Sequence, residues 1–364
     1  MAEASQTIDA SGDLSILSNG ALVTVESTGL LTCPTDHSLV DIEAERIVMT
    51  NLGQILTEGR SWQPGIALMG DEILLTNVGT ISAGITVHGG QVDFRNEGTI
   101  SGEVWLGGTV IVVNTGIMGD ADLGSERVEV TNAGQMGWVL LSGGDDIYRE
   151  VGQGRADMLF ASSGDDLILG GRSYSYMWGD EGCDTLAGGG GGDWLFGGTD
   201  NDVLRSWGDG FSLLSGDEGD DLVSSGRGGH DHLFGGMGQD TLRGGDGQDD
   251  LSGGGGRDWL NGGEGNDTIE GGWGSDTLSG GAGADLFLFT QRSSGEDRVR
   301  DFHQGEDLIR LGRELHLVTG FSGQAGEVRI ADANRIEGDR DGDGQADWAV
   351  TFLGVGALAL SDFG

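Results

Sequence analysis

The sequence predicts an all-β protein: a parallel β-solenoid that continues into a β-roll of nonapeptide coils and ends in a β-rich C-terminal cap. Three observations carry this. A nine-residue unit repeats without a gap from Gly226 to Leu288. An Asn-x-Gly corner recurs upstream at Asn51, Asn77, Asn96, Asn114 and Asn132, with intervals of 26, 19, 18 and 18 residues. The settled interval equals two nonapeptides, and Gly134 plus 18 falls on Gly152, so the two repeats share a phase.

Each unit of the nonapeptide run reads Gly-Gly-x-Gly-x-Asp-x-U-x, where U is a large apolar residue, as in Gly235-Gly-Met-Gly-Gln-Asp240-Thr-Leu242-Arg. Glycines let six residues turn sharply with their carbonyls converging. The remaining x-U-x is a short strand whose alternation points U inward. Two units make one flattened coil, and each turn then stacks on the turn two units away at about 4.8 Å. Carbonyl and carboxylate oxygens at this density suit Ca²⁺, which takes six to eight hard oxygen ligands, whereas zinc would call for His or Cys. A flexible glycine linker has no reason to place one apolar residue in every nine.

Traced backwards, the frame is read with a two-residue step at Ser224 and Ser225, then units at 215, 206, 197, 188, 179, 170, 161 and 152, and a second step at Glu150 and Val151 before a first unit at Leu141. The sixth position is Asp in fourteen of these sixteen units: Asp146, Asp157, Asp166, Asp184, Asp193, Asp202, Asp220, Asp231, Asp240, Asp249, Asp258, Asp267, Asp276 and Asp285. Ser175 and Phe211 stand in the other two. If units alternate between two sides, the odd side keeps its carboxylates and the even side is broken twice, which predicts about ten calcium sites.

The repeats resemble those of the RTX (repeats-in-toxin) family of secreted bacterial proteins. The resemblance implies a calcium-filled β-roll exported unfolded by type I secretion machinery. Segments near Glu296 to Phe302, Gly305 to Leu311 and Asp341 to Trp348, with the ending Leu360-Ser-Asp-Phe363-Gly, are similar to the C-terminal secretion module of serralysin-type metalloproteases. By that likeness the cap carries an uncleaved export signal. The expected organisation is therefore an N-terminal cap with irregular coils over 1–45, an Asn-cornered solenoid over 46–140, the β-roll over 141–289 and the cap over 290–364, with an inserted loop from Gly59 to Gly70.

Composition agrees with conditional folding. The net charge is −41, and all nineteen basic residues are Arg. Such a chain repels itself until cations bind, and is steered away from nucleic acid and anionic lipid. Sites of the extracellular class bind calcium at about 10⁻⁴ to 10⁻³ M, so disorder is expected in the cytosol and order outside. The opening Met1-Ala-Glu-Ala-Ser-Gln-Thr-Ile has neither basic residues nor an apolar run, which leaves no N-terminal signal peptide in this stretch, and no apolar run is long enough for a transmembrane helix. Cys33 and Cys183 fall roughly 40 Å apart on one solenoid and are expected as thiols.

Two features stand outside the repeat's needs. Outward positions Phe160, Tyr176, Trp178, Trp194, Phe196 and Phe234, with Met158, Leu214 and His232, align into an apolar strip on the even side, a candidate surface for a polysaccharide or cell-surface partner, or one covered by the C-terminal module or another copy of the chain. Asp339-Arg-Asp341-Gly-Asp343-Gly-Gln-Ala-Asp347 imitates an EF-hand loop but puts Val350 where a bidentate Glu belongs, so it reads as an acidic hairpin turn. His230-Asp-His232 flanks a repeat Asp and reads as solvated loop. No His-Glu-x-x-His, Gly-x-Ser-x-Gly or P-loop motif is present. A structural, adhesive or interaction role is expected ahead of catalysis. Polysaccharide lyases and epimerases are the enzymes to weigh against it, because parallel solenoids host both and mannuronan epimerases carry RTX modules.

Overall fold

A computed structural model describes residues 4–8, 14–17, 21–25, 30–33, 40–57, 66–124, 126–173, 175–290 and 293–364. The chain forms two compact units, Met1–Glu181 and Gly182–Gly364. The coils of both are built from parallel strands, in keeping with the inward apolar columns.

In the first unit the strands Ile66–Asn77, Ile85–Asn96 and Val104–Asn114 pair in parallel, with Asn77 opposite Asn96 and Asn96 opposite Asn114. One inward column runs Met49, Leu75, Phe94, Val112, Val130, Tyr148 and Ile168 through successive coils, all buried. A second runs Ile85, Val104, Ala121, Val139, Leu159 and Met177. Alternation explains both: every second residue of a strand faces the core, so stacking equal coils stacks equal positions. The strands Ala21–Val25 and Arg46–Asn51 pair in the same sense, so parallel coiling reaches into the first 45 residues. The rest of the cap expected over 1–45, and most of the Gly59 to Gly70 insertion, lie outside the described residues. Ile66 to Gly70 open a strand.

The Asn corners are fully buried and joined through their side chains. Asn51 Nδ2 donates to Asn77 Oδ1 at 2.8 Å, Asn77 to Asn96 at 2.8 Å, Asn96 to Asn114 at 2.7 Å and Asn114 to Asn132 at 2.9 Å. None adopts the left-handed conformation that the Asn-x-Gly pattern suggested. The selected property is the amide, which donates and accepts at once. The glycine of the corner answers to crowding: a Cβ on Gly98 would come within 2.0 Å of the Gly79 carbonyl oxygen. At the last corner the ladder is closed by Tyr148, whose hydroxyl accepts from Asn132 Nδ2 at 3.0 Å and donates to Glu150 Oε1 at 3.2 Å. Glu150 accepts in turn from the Ala156 and Gly171 amides. The junction near 141 is made inside one sheet, since strand Val128–Asn132 pairs in parallel with Ile147–Glu150.

In the second unit the inward columns are Leu186, Leu204, Val223, Leu242, Leu260, Leu278 and Val299, and Leu195, Leu214, Leu233, Leu251, Ile269, Phe287 and Ile309. The coil path therefore runs past residue 289, through strands Gly295–Val299 and Leu308–Leu311. Only then does the pairing turn antiparallel, in Glu327–Asp332, Arg335–Asp339 and Trp348–Phe352. Trp348–Phe352 lies along Gly295–Val299, and Phe289, Phe302, Trp348 and Phe352 pack ring to ring over the end.

Replacing Tyr148 with Phe leaves the Asn132 amide buried without its acceptor, a loss of about 1–3 kcal/mol. Asn96→Ala removes two ladder bonds and strands two neighbours, so it should cost more. Chemical denaturation of the full chain in calcium checks both, and an unchanged midpoint in Tyr148→Phe would dismiss the hydroxyl as the ladder's terminus.

Candidate metal centre

The turns of the roll are organised by one bond repeated per coil. The carboxylate Oδ1 of an inner Asp accepts from the backbone N–H of the residue that holds the same place one coil before it. On the odd side the bonds run from Val128 to Asp146 and from Asp146 to Asp166, each at 2.7 Å, in the first unit. In the second they run from Asp184 to Asp202 and on to Asp221, Asp240, Asp258, Asp276 and Asp297, at 2.8 to 2.9 Å. On the even side of the second unit they run from Ser212 to Asp231, Asp249, Asp267, Asp285 and Asp307, at 2.6 to 3.0 Å.

The second oxygen tells the other half. Among the described residues, Oδ2 of Asp146, Asp166, Asp184, Asp202, Asp221, Asp240, Asp249, Asp258, Asp267, Asp276 and Asp285 is buried without a hydrogen-bond partner. A buried carboxylate oxygen left bare costs several kcal/mol and calls for a cation. In the second unit eight of these oxygens face the first glycine of their own turn. A Cβ on Gly197, Gly216, Gly235, Gly244, Gly253, Gly262, Gly271 or Gly280 would strike Oδ2 of Asp202, Asp221, Asp240, Asp249, Asp258, Asp267, Asp276 or Asp285 at 2.1 to 2.6 Å. The carbonyl oxygen of the next coil's first glycine borders the same spot, as Gly262 does beside Gly244 and Gly271 beside Gly253. These glycines hold open a space lined by carboxylate and carbonyl oxygens, the donor set of a hard divalent ion. The ladder residues fit calcium.

Electrostatics agree. Burial pushes Asp202 and Asp297 up to about 8, Asp146, Asp240, Asp258 and Asp267 to about 7, and Asp166, Asp221, Asp249 and Asp285 to about 6. Backbone N–H donors pull the other way and neighbouring carboxylates add to the rise. A cation between the turns removes that penalty.

Two expected ladder residues are displaced. Asp157 is exposed, because strand Arg155–Ser163 begins two residues before it and carries it outward, where it pairs with Arg155 at 3.3 Å. Asp220 is exposed on the turn's outer row, where its Oδ1 accepts from the Gln239 amide, and Asp221 takes the ladder position. The cause is a frame with two single-residue insertions, one near 206 and one at Ser225, in place of a two-residue step. Ser212 then holds the ladder place assigned to Phe211, whose ring is exposed beside His232 at 5.2 Å. Asp146, Asp166, Asp184, Asp202, Asp231, Asp240, Asp249, Asp258, Asp267, Asp276 and Asp285 lie on the ladders, Asp193 is buried on the even side and Ser175 is also buried. Asp297 and Asp307 were missed. Their signal is an Asp two residues before a buried apolar residue, Val299 and Ile309, which outlasts the glycines.

The aromatic strip is also re-aligned. In the first unit Leu140, Phe160 and Trp178 share one outward column and Trp138 and Met158 another, with Phe160 and Trp178 stacked at 4.8 Å and Tyr176 two residues before Trp178. In the second unit Trp194, Leu213 and His232 form one column, and Phe196, Ser215 and Phe234 the next. Leu214 points inward. Asp339, Asp341 and Asp347 converge within 4.8 Å in the acidic hairpin, and both Asp339 oxygens accept amides of that hairpin. Cys183 presents an exposed thiol, while the side chain of Cys33 lies outside the described residues. No helix among the described residues is long and apolar enough to cross a membrane.

The sequence matches the RTX calcium-binding nonapeptide repeat over 151–173, 177–207, 208–229, 225–251 and 252–287. Among solved structures it is similar to the AlgE6R3 subunit of the Azotobacter vinelandii mannuronan C5-epimerase, with 31% identity over 34% of this chain and 71% of that one and a TM-score of 0.17. No curated protein matches the chain. A parallel β-solenoid with half-satisfied carboxylates along its turns coincides with that repeat match, and over residues 151–287 the chain belongs to the RTX calcium-binding nonapeptide repeat family.

Proposed function

We propose that the protein is a secreted calcium-loaded β-solenoid that orders when it meets extracellular calcium and then serves as a structural, adhesive or cell-surface interaction element. The single observation behind this is the row of eleven buried Oδ2 atoms without partners. Each marks a place for one cation, and eight of them in the second unit have the glycine that makes room. The carboxylates are thus committed to metal, which supports a non-catalytic role. Export by type I secretion machinery is the route that the family likeness and the charge support: a chain of net charge −41 stays extended where calcium is scarce and collapses where it is abundant.

A second reading, binding of a polysaccharide, draws on the outward columns. Trp138 and Met158 in the first unit and Trp194 in the second are all more than a third exposed. Phe160 and Trp178 turn their faces toward each other, which is the packing of a ladder; a sugar would need a ring face turned outward. Binding of alginate or pectin that falls on Trp138→Ala or Trp194→Ala would favour this reading, and turnover of either polymer would make the chain an enzyme.

Far-UV circular dichroism of the full chain, titrated from chelator with Ca²⁺ to about 10 mM, should show a cooperative gain of β signal. Native mass spectrometry should then count between eight and eleven calcium ions. A full β signal in chelator would sink calcium-gated folding. Asp258→Asn should lower the count by at least one and shift the transition to higher calcium.

The pH dependence in chelator has a definite sign. These Asp carboxylates are raised above 3.8 in the folded roll, so the folded state holds protons that the unfolded chain has released. Their contribution is present below about pH 4 and is lost as pH rises from there through 6 to 8. Metal-free chain should therefore hold more residual β signal at pH 5 than at pH 8. Calcium affinity should rise over the same interval, because the ion displaces those protons.

A further inference from the structure

The even side of the second unit contains a stretch where serine hydroxyls occupy the place of the cation. The pairing of Ala187 with Arg205, Arg205 with Ser224 and Ser224 with Arg243 puts the first residues of successive even turns in one column: Gly188, Ser206, Ser225 and Gly244, followed by Gly262 and Gly280. At the glycines a Cβ would meet the turn's carboxylate, at 2.1 Å for Gly262 and Asp267. At the two serines a side chain reaches into that space. Ser206 Oγ donates to Asp193 Oδ2 at 2.7 Å and lies 2.9 Å from Ser212 Oγ, which accepts from the Asp193 amide at 3.3 Å. Ser212 stands where the ladder otherwise has Asp, and Asp231 receives the hydroxyls of Ser225 and Ser212. Ser225 Oγ also sits against the Gly244 carbonyl, one of the oxygens of the kind that lines the open sites, so its single proton turns either to that oxygen or to Asp231. The even-side carboxylates with a bare oxygen begin only afterwards, at Asp249.

We propose that the residue at the head of a turn selects what neutralises the carboxylate beside it, whether of its own turn, as Ser225 does for Asp231, or of the coil before, as Ser206 does for Asp193. Glycine leaves room for calcium, and serine supplies a hydroxyl proton that excludes it. Ser206, Ser212 and Ser225 are then a calcium-free clasp across the turns of Asp193, Ser212 and Asp231. They remove one ladder carboxylate and satisfy the two that flank it. This rests on the calcium reading above, and it adds a rule for which turns stay empty. A hydroxyl is small enough to sit where the ion's oxygen cage would form, and it donates in place of the positive charge.

The test counts calcium on the full chain by native mass spectrometry at saturating calcium, with circular dichroism to confirm folding. The triple variant Ser206→Gly, Ser212→Asp, Ser225→Gly restores the repeat at every point of the clasp and should bind at least two more ions than the parent. Gly262→Ser installs the clasp's hydroxyl beside Asp267 and should bind one fewer, and it decides the matter alone if the triple variant does not fold. Unchanged counts in a parent that binds calcium would overturn the clasp and leave the calcium reading standing. A parent that binds none would remove both.

Discussion

The fold depends on a carboxylate that can be only half satisfied by protein. In the roll, each inner Asp spends one oxygen on the amide of the preceding coil, at 2.8 to 2.9 Å along the odd side of the second unit. That bond sets the register of the turns, because it fixes which residue of one coil faces which of the next. In eleven of these Asp residues the second oxygen is buried without a donor. Hydrophobic burial cannot repay an unpaired charge on this scale, since the inward column offers one apolar side chain per turn and several kcal/mol are at stake at each carboxylate. The metal and the register are therefore parts of one interaction.

The Asn-cornered coils of the first unit show what the same geometry becomes when the carboxylate is exchanged for an amide. Asn carries donor and acceptor together, so Asn77 receives from Asn51 and gives to Asn96 within the buried column. No charge is buried and no ion is required. The ladder has a direction, however, and its last Nδ2 must find an acceptor that is not another Asn. Tyr148 supplies it while filling the inward column with its ring, and passes its own proton to Glu150. One residue thus serves the apolar core and the polar ladder at the point where the corner chemistry changes.

The repeat was legible wherever two signals coincided. The nonapeptide glycines and the inward Leu column agree from Gly235 to Phe287, and there each residue stands where the spacing puts it. Trouble came where only one signal was present. Asp220-Asp221-Leu222-Val223 satisfies the Asp-x-U spacing in two frames, and only the pairing of Leu204 with Val223 chooses between them. Asp157 has the spacing without the preceding turn. Asp297 and Asp307 have the spacing without the glycines, because after Phe289 the chain replaces tight turns by longer connections while keeping the coil's inner face. The half-satisfied carboxylates could not be read from sequence at all, since they depend on which donor lies one coil away.

Eleven divalent ions would offset about half of a net charge of −41, so the loaded solenoid remains strongly acidic. That excess has a structural use. Parallel coils end in an open edge that would accept another chain's strand, and like charge on the flanks discourages such approach without covering the edge itself. At the C-terminal end the edge is covered by a change of pairing. Trp348–Phe352 runs along Gly295–Val299 on one side and takes an antiparallel partner, Arg335–Asp339, on the other. An antiparallel hairpin cannot propagate the eighteen-residue coil, and Phe289, Phe302 and Phe352 close the core beneath it. The cap therefore stops the repeat by topology, where composition alone would let it continue.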